Sequence, residues 1–276
     1  MKKALVLVLS LALALCLAIP ALAADDVVIY DFSDAIDAED TLGYNTGLPT
    51  YGVTQPVVTN KDGQAKIQFT GSSDTNWAVG GNFNVENRSW VGDFTTKAPD
   101  YKYIRLYVEN NTPEVLPLTF IFKDATQKIG GSPDMTKAVL INTKGEKVTF
   151  EALNNNDSIN GYIGLPSGFK GWLFMEADLA TFGVGPKGYN LTVPKAWSEV
   201  SIIEWDMRDV KISEGNDYMI WDDLALVNEA KAPATSEPGT DKPGTDEPGN
   251  GGDISMLLYA AAAISGLGAL AIRKKK

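Results

Sequence analysis

Histidine is absent from all 276 residues, and the one cysteine, Cys16, falls in an apolar N-terminal stretch. Histidine-based triads and ordinary zinc sites are therefore excluded. If the N-terminal stretch is removed, disulfides and thiol nucleophiles go with it. Positive charge is also scarce: 24 basic residues stand against 35 acidic ones, a net charge of −11. Residues 1–23 contain Lys2 and Lys3 and no acid, so the remainder carries −13. Such a chain is a poor partner for nucleic acid or anionic lipid, which need clustered Lys and Arg. It suits a neutral ligand or a cation. No long amphipathic helical pattern is present either. What remains is carboxylates, hydroxyls, amides, a few cations and aromatics. These suffice for a carboxylate-pair hydrolase, a calcium site or a sugar-binding surface.

The two ends predict a compartment. Lys2 and Lys3 precede an apolar stretch from Ala4 to Ile19, and Ala21-Leu22-Ala23 offers a small-residue cleavage site. Leu15 precedes Cys16 where a lipoprotein signal wants a small residue, so lipidation is not expected. Residues 1–23 read as a signal peptide. Residues 231–253 form a Pro/Gly/Thr/acidic tract, too poor in apolar surface to fold, and read as an extended stalk. Residues 254–272 are an uncharged apolar run spanning roughly 28 Å as a helix, close to the ~30 Å of a bilayer core. Arg273-Lys274-Lys275-Lys276 follows and sets the C-terminus in the cytoplasm. This tail resembles the wall-anchor tails of Gram-positive surface proteins. It departs from them at Pro248-Gly249-Asn250-Gly251-Gly252-Asp253, where a Leu-Pro-x-Thr-Gly pentapeptide would stand. The expectation is a single-pass protein retained in the membrane, with residues 24–230 outside the cell.

About 205 residues remain between signal and stalk, enough for one core and one domain. Short segments with period-2 alternation recur between Gly, Pro, Asn and Asp turns. They are 27–32, 65–70, 77–85, 102–109, 118–123, 138–142, 147–151, 172–177, 200–210 and 218–227. Residues 178–182 could form one helical turn, and 37–56 reads as a long loop. The predicted fold is all-β: an antiparallel β-sandwich of jelly-roll type.

Three strands alternate unusually. Ile104, Leu106 and Val108 lie opposite Tyr103, Arg105, Tyr107 and Glu109. Leu173 and Met175 lie opposite Lys170, Trp172, Phe174 and Glu176. Ile203, Trp205 and Met207 lie opposite Ile202, Glu204, Asp206 and Arg208. The apolar face is the core. The opposite face is either an ordinary solvated face with cross-strand pairs or a sugar-binding surface. Sugar C–H faces stack on aromatic rings, and their hydroxyls pair with carboxylates and guanidinium. The binding reading assigns stacking to Tyr103, Tyr107 and Trp172, and hydrogen bonding to Arg105, Glu204, Asp206 and Arg208. It requires the three strands to be neighbours.

Three stretches carry a resemblance. Tyr30-Asp31-Phe32, Pro166-Ser167-Gly168-Phe169-Lys170-Gly171-Trp172 and Tyr218-Met219-Ile220-Trp221-Asp222-Asp223-Leu224 together resemble galactose-binding-like carbohydrate-binding modules. The resemblance implies a non-catalytic glycan-binding jelly roll. It also implies a structural calcium where the first and last strands meet, with Asp31, Asp34, Asp222 and Asp223 as its ligands. Two other readings stay open. Glu204-x-Asp206-x-x-Asp209 approaches the Glu-x-Asp-x-x-Glu signature of jelly-roll β-glucanases, in which alternate carboxylates act as nucleophile and acid/base. Tyr44, Tyr51, Trp90, Tyr189 and Trp197 would equally serve an adhesive protein that binds another protein.

Overall fold

The computed structural model describes residues 26–33, 57–69, 79–84, 88–153, 161–183, 192–207 and 217–233. All of them belong to one compact unit, Met1–Gly239. The segments read from the sequence as signal peptide (1–23), membrane helix (254–272) and basic end (273–276), and the expected stalk beyond residue 233, lie outside the described residues, as do Asp34 and Arg208. Among the described residues no helix is long and apolar enough to cross a membrane.

Alternating side chains produce strands β1 (Val27–Tyr30), β2 (Val57–Lys61), β3 (Gln64–Gln68), β4 (Val79–Asn84), β5 (Tyr103–Asn110), β6 (Leu116–Lys123) and β7 (Gly130–Gly131). They continue with β8 (Val139–Asn142), β9 (Lys147–Val148), β10 (Glu151–Leu153), β11 (Tyr162–Leu165), β12 (Lys170–Glu176), β13 (Ile202–Met207) and β14 (Tyr218–Val227). The first sheet runs β2-β3-β14-β5-β12-β8-β9, with β1 also paired to β14. The second runs β10-β11-β6-β13-β4, with β7 beside β6. The strands of both sheets pair antiparallel.

Period-2 alternation turns one face of each sheet inward. Ile104, Leu106, Val108, Leu173, Met175, Met219 and Trp221 of the first sheet meet Leu118, Phe120, Phe122, Ile203, Trp205 and Met207 of the second in one core. The Trp205 ring stands edge-on to Trp221, centroids 4.9 Å apart. Each such buried side chain contributes roughly 1.5–3 kcal/mol, which makes this core the main source of stability. The architecture is an all-β sandwich, and the inward faces of β5, β12 and β13 are those that alternation predicts.

Four local features differ from the sequence expectation. β2 pairs with β3 through Asp62 (φ 56°) and Gly63 (φ 86°), the two left-handed residues of a tight hairpin turn. Residues 147–151 split into two strands, β9 in the first sheet and β10 in the second. Helix α1 (Ser89–Lys97), unpredicted, buries Trp90, Val91, Phe94 and Thr95. Trp90 stacks on Tyr30 at 5.1 Å, and Phe94 meets Trp197 edge-on at 5.3 Å. Trp90 and Trp197 are therefore core residues and offer nothing to a protein partner. Tyr44, Tyr51 and Tyr189 lie outside the described residues.

Candidate functional site

Strands β3, β14, β5, β12 and β8 are consecutive neighbours, so their outward residues form one continuous face. The register sets Trp172 beside Tyr107, Phe174 beside Arg105, and Lys170 beside Glu109. Ile141 and Val139 of β8 flank Trp172 and Phe174. Ile220 and Asp222 of β14 flank Glu109 and Tyr107. Tyr103, Arg105, Tyr107 and Trp172 are thus brought together as the binding reading requires.

Their exposure is not as that reading requires. Tyr107, Ile141, Trp172, Phe174, Ile220, Ala225 and Val227 form a second buried cluster, with Tyr103 and Tyr218 packed against it. Trp172 is 0 % exposed, and its ring meets Tyr107 edge-on at 5.6 Å. Tyr107 and Trp172 are a buried floor, out of reach for stacking, and the half-buried rings on this face are Tyr103 and Tyr218. A polar rim adjoins that floor. Tyr107 Oη donates to Glu109 Oε1 at 2.8 Å, while Asn111 and Lys170 donate to Glu109 Oε2 at 3.2 and 2.9 Å. Burial pushes the Glu109 carboxyl up, but these donors outweigh it and hold it below the usual carboxylate range.

Arg105 is buried and serves two acids. Its guanidinium donates to Asp26 and to Asp223, each at 2.8 Å. The geometry follows from a break in β14: its first half pairs with β3, its second half with β1, and the register shifts between Asp222 and Ala225. Asp223 takes φ 47° at this bulge. The first and last strands do meet here, and Asp31 is near enough for its charge to act on both Asp222 and Asp223. Among the described residues no three acidic side chains gather as a metal ion would hold them. Arg105 supplies the positive charge at this point.

Burial pushes Asp222 up to about 6, helped by the charges of Asp223 and Asp31 and opposed by hydrogen bonds from Gln64 and the Asp223 N–H. Burial likewise raises Asp223, against the pull of Arg105. Between about pH 4 and pH 6 the folded chain therefore keeps a proton that the unfolded chain has lost. Stability is expected to fall as pH rises through that window. Asp222→Asn should flatten the dependence, read as Tm against pH. An unchanged slope in that variant would place the titration elsewhere.

Glu204 and Asp206 do not join the face of Tyr103, Arg105, Tyr107 and Trp172. Their strand, β13, pairs with β6 and β4 in the second sheet, whose outward face points away from the first. Face alternation could not show this, because it is silent on which strands pair. There Glu204 is ion-paired with Lys123, which is 1 % exposed. Asp206 Oδ2 accepts from Tyr162 Oη at 3.2 Å, and Thr119 of β6 lies opposite Asp206. Glu204 and Asp206 share a face, as paired carboxylates must, but both are buried. Lys123 and Tyr162 were not foreseen. Lys123 was findable, since alternation in β6 sets it opposite Leu118, Phe120 and Phe122.

No protein-family profile, curated protein or solved structure matches this chain. Its function rests on the chemistry of its own surfaces.

Proposed function

We propose that residues 24–230 are a non-catalytic carbohydrate-binding module of the galactose-binding-like jelly-roll type. The stalk and the membrane helix hold it outside the cell. The observation that carries this is the outward face of the first sheet. Half-buried Tyr103 and Tyr218 share it with Glu109 and Lys170 over an aromatic floor of Tyr107, Trp172 and Phe174, while Arg105, buried and held by Asp26 and Asp223, is withdrawn from the hydrogen-bonding role the sequence suggests. Rings that lie flat against sugar C–H faces beside charged hydrogen-bonding groups are the chemistry of glycan recognition. The engagement of Glu204 with Lys123 and of Asp206 with Tyr162 supports a binder over a hydrolase.

The full-length protein in detergent, applied to a glycan array, tests this. Binding in roughly the micromolar to millimolar range is expected, weakened in Tyr218→Ala at a temperature where that variant is still folded. Absence of binding to every plant and microbial polysaccharide would sink the proposal and leave the adhesive reading. Release of reducing ends, lost in Glu204→Gln, would make the protein a hydrolase.

Calcium beside the bulge belongs to the same proposal: Asp31, Asp222 and Asp223 repel one another there, and the ion would have to draw them together with Asp34 into a ligand set that the described residues do not by themselves form. At a hundredfold excess over Kd the ion would add about 2.7 kcal/mol, a Tm rise of roughly 5–10 °C. Equal Tm in calcium and in chelator would remove calcium and leave Arg105 as the counter-charge.

A further inference from the structure

The edge of the same face holds an arrangement that the proposed function does not use. Lys61 and Lys66, from the β2–β3 hairpin, both place their ammonium groups over the ring of Tyr218, at 5.5 and 4.6 Å from its centroid. Register explains the convergence: Thr59 lies opposite Lys66, Lys61 opposite Gln64, and Tyr218 opposite Gln68. Lys123, Lys137, Lys170 and Lys231 are paired with carboxylates, whereas Lys61 and Lys66 are turned to an aromatic ring. Among the described residues Lys61 meets the ring alone, and Lys66 meets the ring and the amide oxygen of Gln68 at 3.1 Å. Two like charges gathered on one aromatic ring repel each other. The ring quadrupole offsets this only in part, so the spot is locally positive.

The surroundings suit a sugar. Val57, one of few large apolar side chains left open, lies on the same face opposite Gln68. Thr59 is exposed beside it, and Gln68 is half-buried. Three acids lie near by in register and none is ion-paired with either lysine: Asp62 sits in the hairpin turn, Glu109 is engaged by Lys170, and Asp222 accepts a hydrogen bond from Gln64 at 3.0 Å. The chain's net negative charge is no obstacle at contact range. At physiological salt, exposed charges beyond about 8 Å are largely screened.

We infer that Lys61, Lys66 and Tyr218 form a subsite for a carboxylate-bearing sugar residue, so that the module takes an acidic polysaccharide, a polyuronate. This rests on the carbohydrate-binding reading and names the class of its ligand. The sugar's carboxylate bridges the two ammonium groups, and its ring lies against Tyr218 and Val57.

The test uses the full-length protein in detergent and three polyuronates: polygalacturonate, alginate and hyaluronate. Each is immobilised beside its carboxyl-methylated ester and beside a neutral β-glucan. Binding to at least one acid form is expected, with about tenfold or greater loss on esterification and in Lys61→Gln/Lys66→Gln. Tm of that variant should stay close to that of the parent, since Lys61 is exposed and Lys66, half-buried, keeps its aliphatic stem as glutamine. Equal binding to acid and ester, binding to the neutral glucan alone, or a double variant that binds as well as the parent overturns the subsite and leaves the carbohydrate reading standing. No binding to any of these polymers or on the glycan array overturns both.

Discussion

Lys123→Met is expected to destabilise the domain by about 3–5 kcal/mol, one of the two largest effects of any substitution considered. Lys123 and Glu204 are 1 % and 4 % exposed, on neighbouring strands at the centre of the second sheet. Their ion pair contributes little net stability, because desolvating two charges nearly cancels their attraction. Removing one partner is different. Methionine fills most of the space of the lysine stem, so packing is largely kept, but the buried Glu204 carboxylate loses the Lys123 ammonium. The double variant Lys123→Met/Glu204→Leu removes the stranded charge and should recover most of the loss. Urea denaturation reads this as a midpoint that falls in the single variant and returns in the double, with the slope unchanged. A single-variant cost below about 1 kcal/mol would mean that water reaches the pair, against the burial argument. The double variant also separates function from stability. Its substitutions lie on the sheet face opposite the proposed ligand face, so glycan binding should be retained. Loss of binding in a stable double variant would move the site to the second sheet.

The distance between reading and structure has a physical shape. Alternation correctly assigned the inward residues of β5, β12 and β13, because a strand's period of two is local. It could not say that β13 pairs with β6 and β4, because pairing is set by contacts about 80 to 130 residues apart in sequence, as in Glu204 with Lys123, 81 apart. A binding face assembled from three strands therefore kept two and lost the third. Burial of the outward face was partly legible. Trp172-Leu173-Phe174-Met175 is apolar on both faces, the pattern of a strand covered on both sides. The Asp62-Gly63 pair between Lys61 and Gln64 is a hairpin signal in the sequence itself, and the structure forms β2 and β3 around it. Helix α1 gave little local sign of itself. Its cap residue Arg88 makes no side-chain cap bond, and its nine residues include Gly92, Val91 and two threonines. It forms because Trp90 and Phe94, one turn apart, both find the core. The acidic cluster was legible as composition, but not the role of Arg105, whose two partners are 79 and 118 residues away.

Gly171→Ala is expected to be at least as damaging as Lys123→Met, costing about 4 kcal/mol or more. Gly171 pairs with Asn142 of β8 and holds φ 155°, a conformation nearly closed to residues with a Cβ. A Cβ placed there would meet the Ile141 carbonyl oxygen at 2.1 Å and the Asn142 Cα at 2.7 Å. Both obstacles are backbone, so no rotamer change relieves them. β8 would have to leave β12, breaking the ladder and parting Ile141 from Trp172 in the outward cluster. Gly168, three residues earlier, is the control. It also has positive φ, 69°, but nothing lies within 4 Å of its Cβ position. Gly168→Ala should therefore cost only backbone strain, about 1 kcal/mol. Equal losses in the two variants, measured by denaturant midpoint, would show that dihedral preference alone decides and that strand contact adds nothing. A large difference would assign Gly171 a packing role within the stretch that resembles carbohydrate-binding modules. Each of its glycines then has a structural reason: Gly168 turns the chain, with its N–H bonded to Asn110 at 3.0 Å, and Gly171 lets two strands approach. Ligand contacts in this region would then fall to Lys170 and to the rim around Glu109, and not to the glycines or the enclosed indole of Trp172.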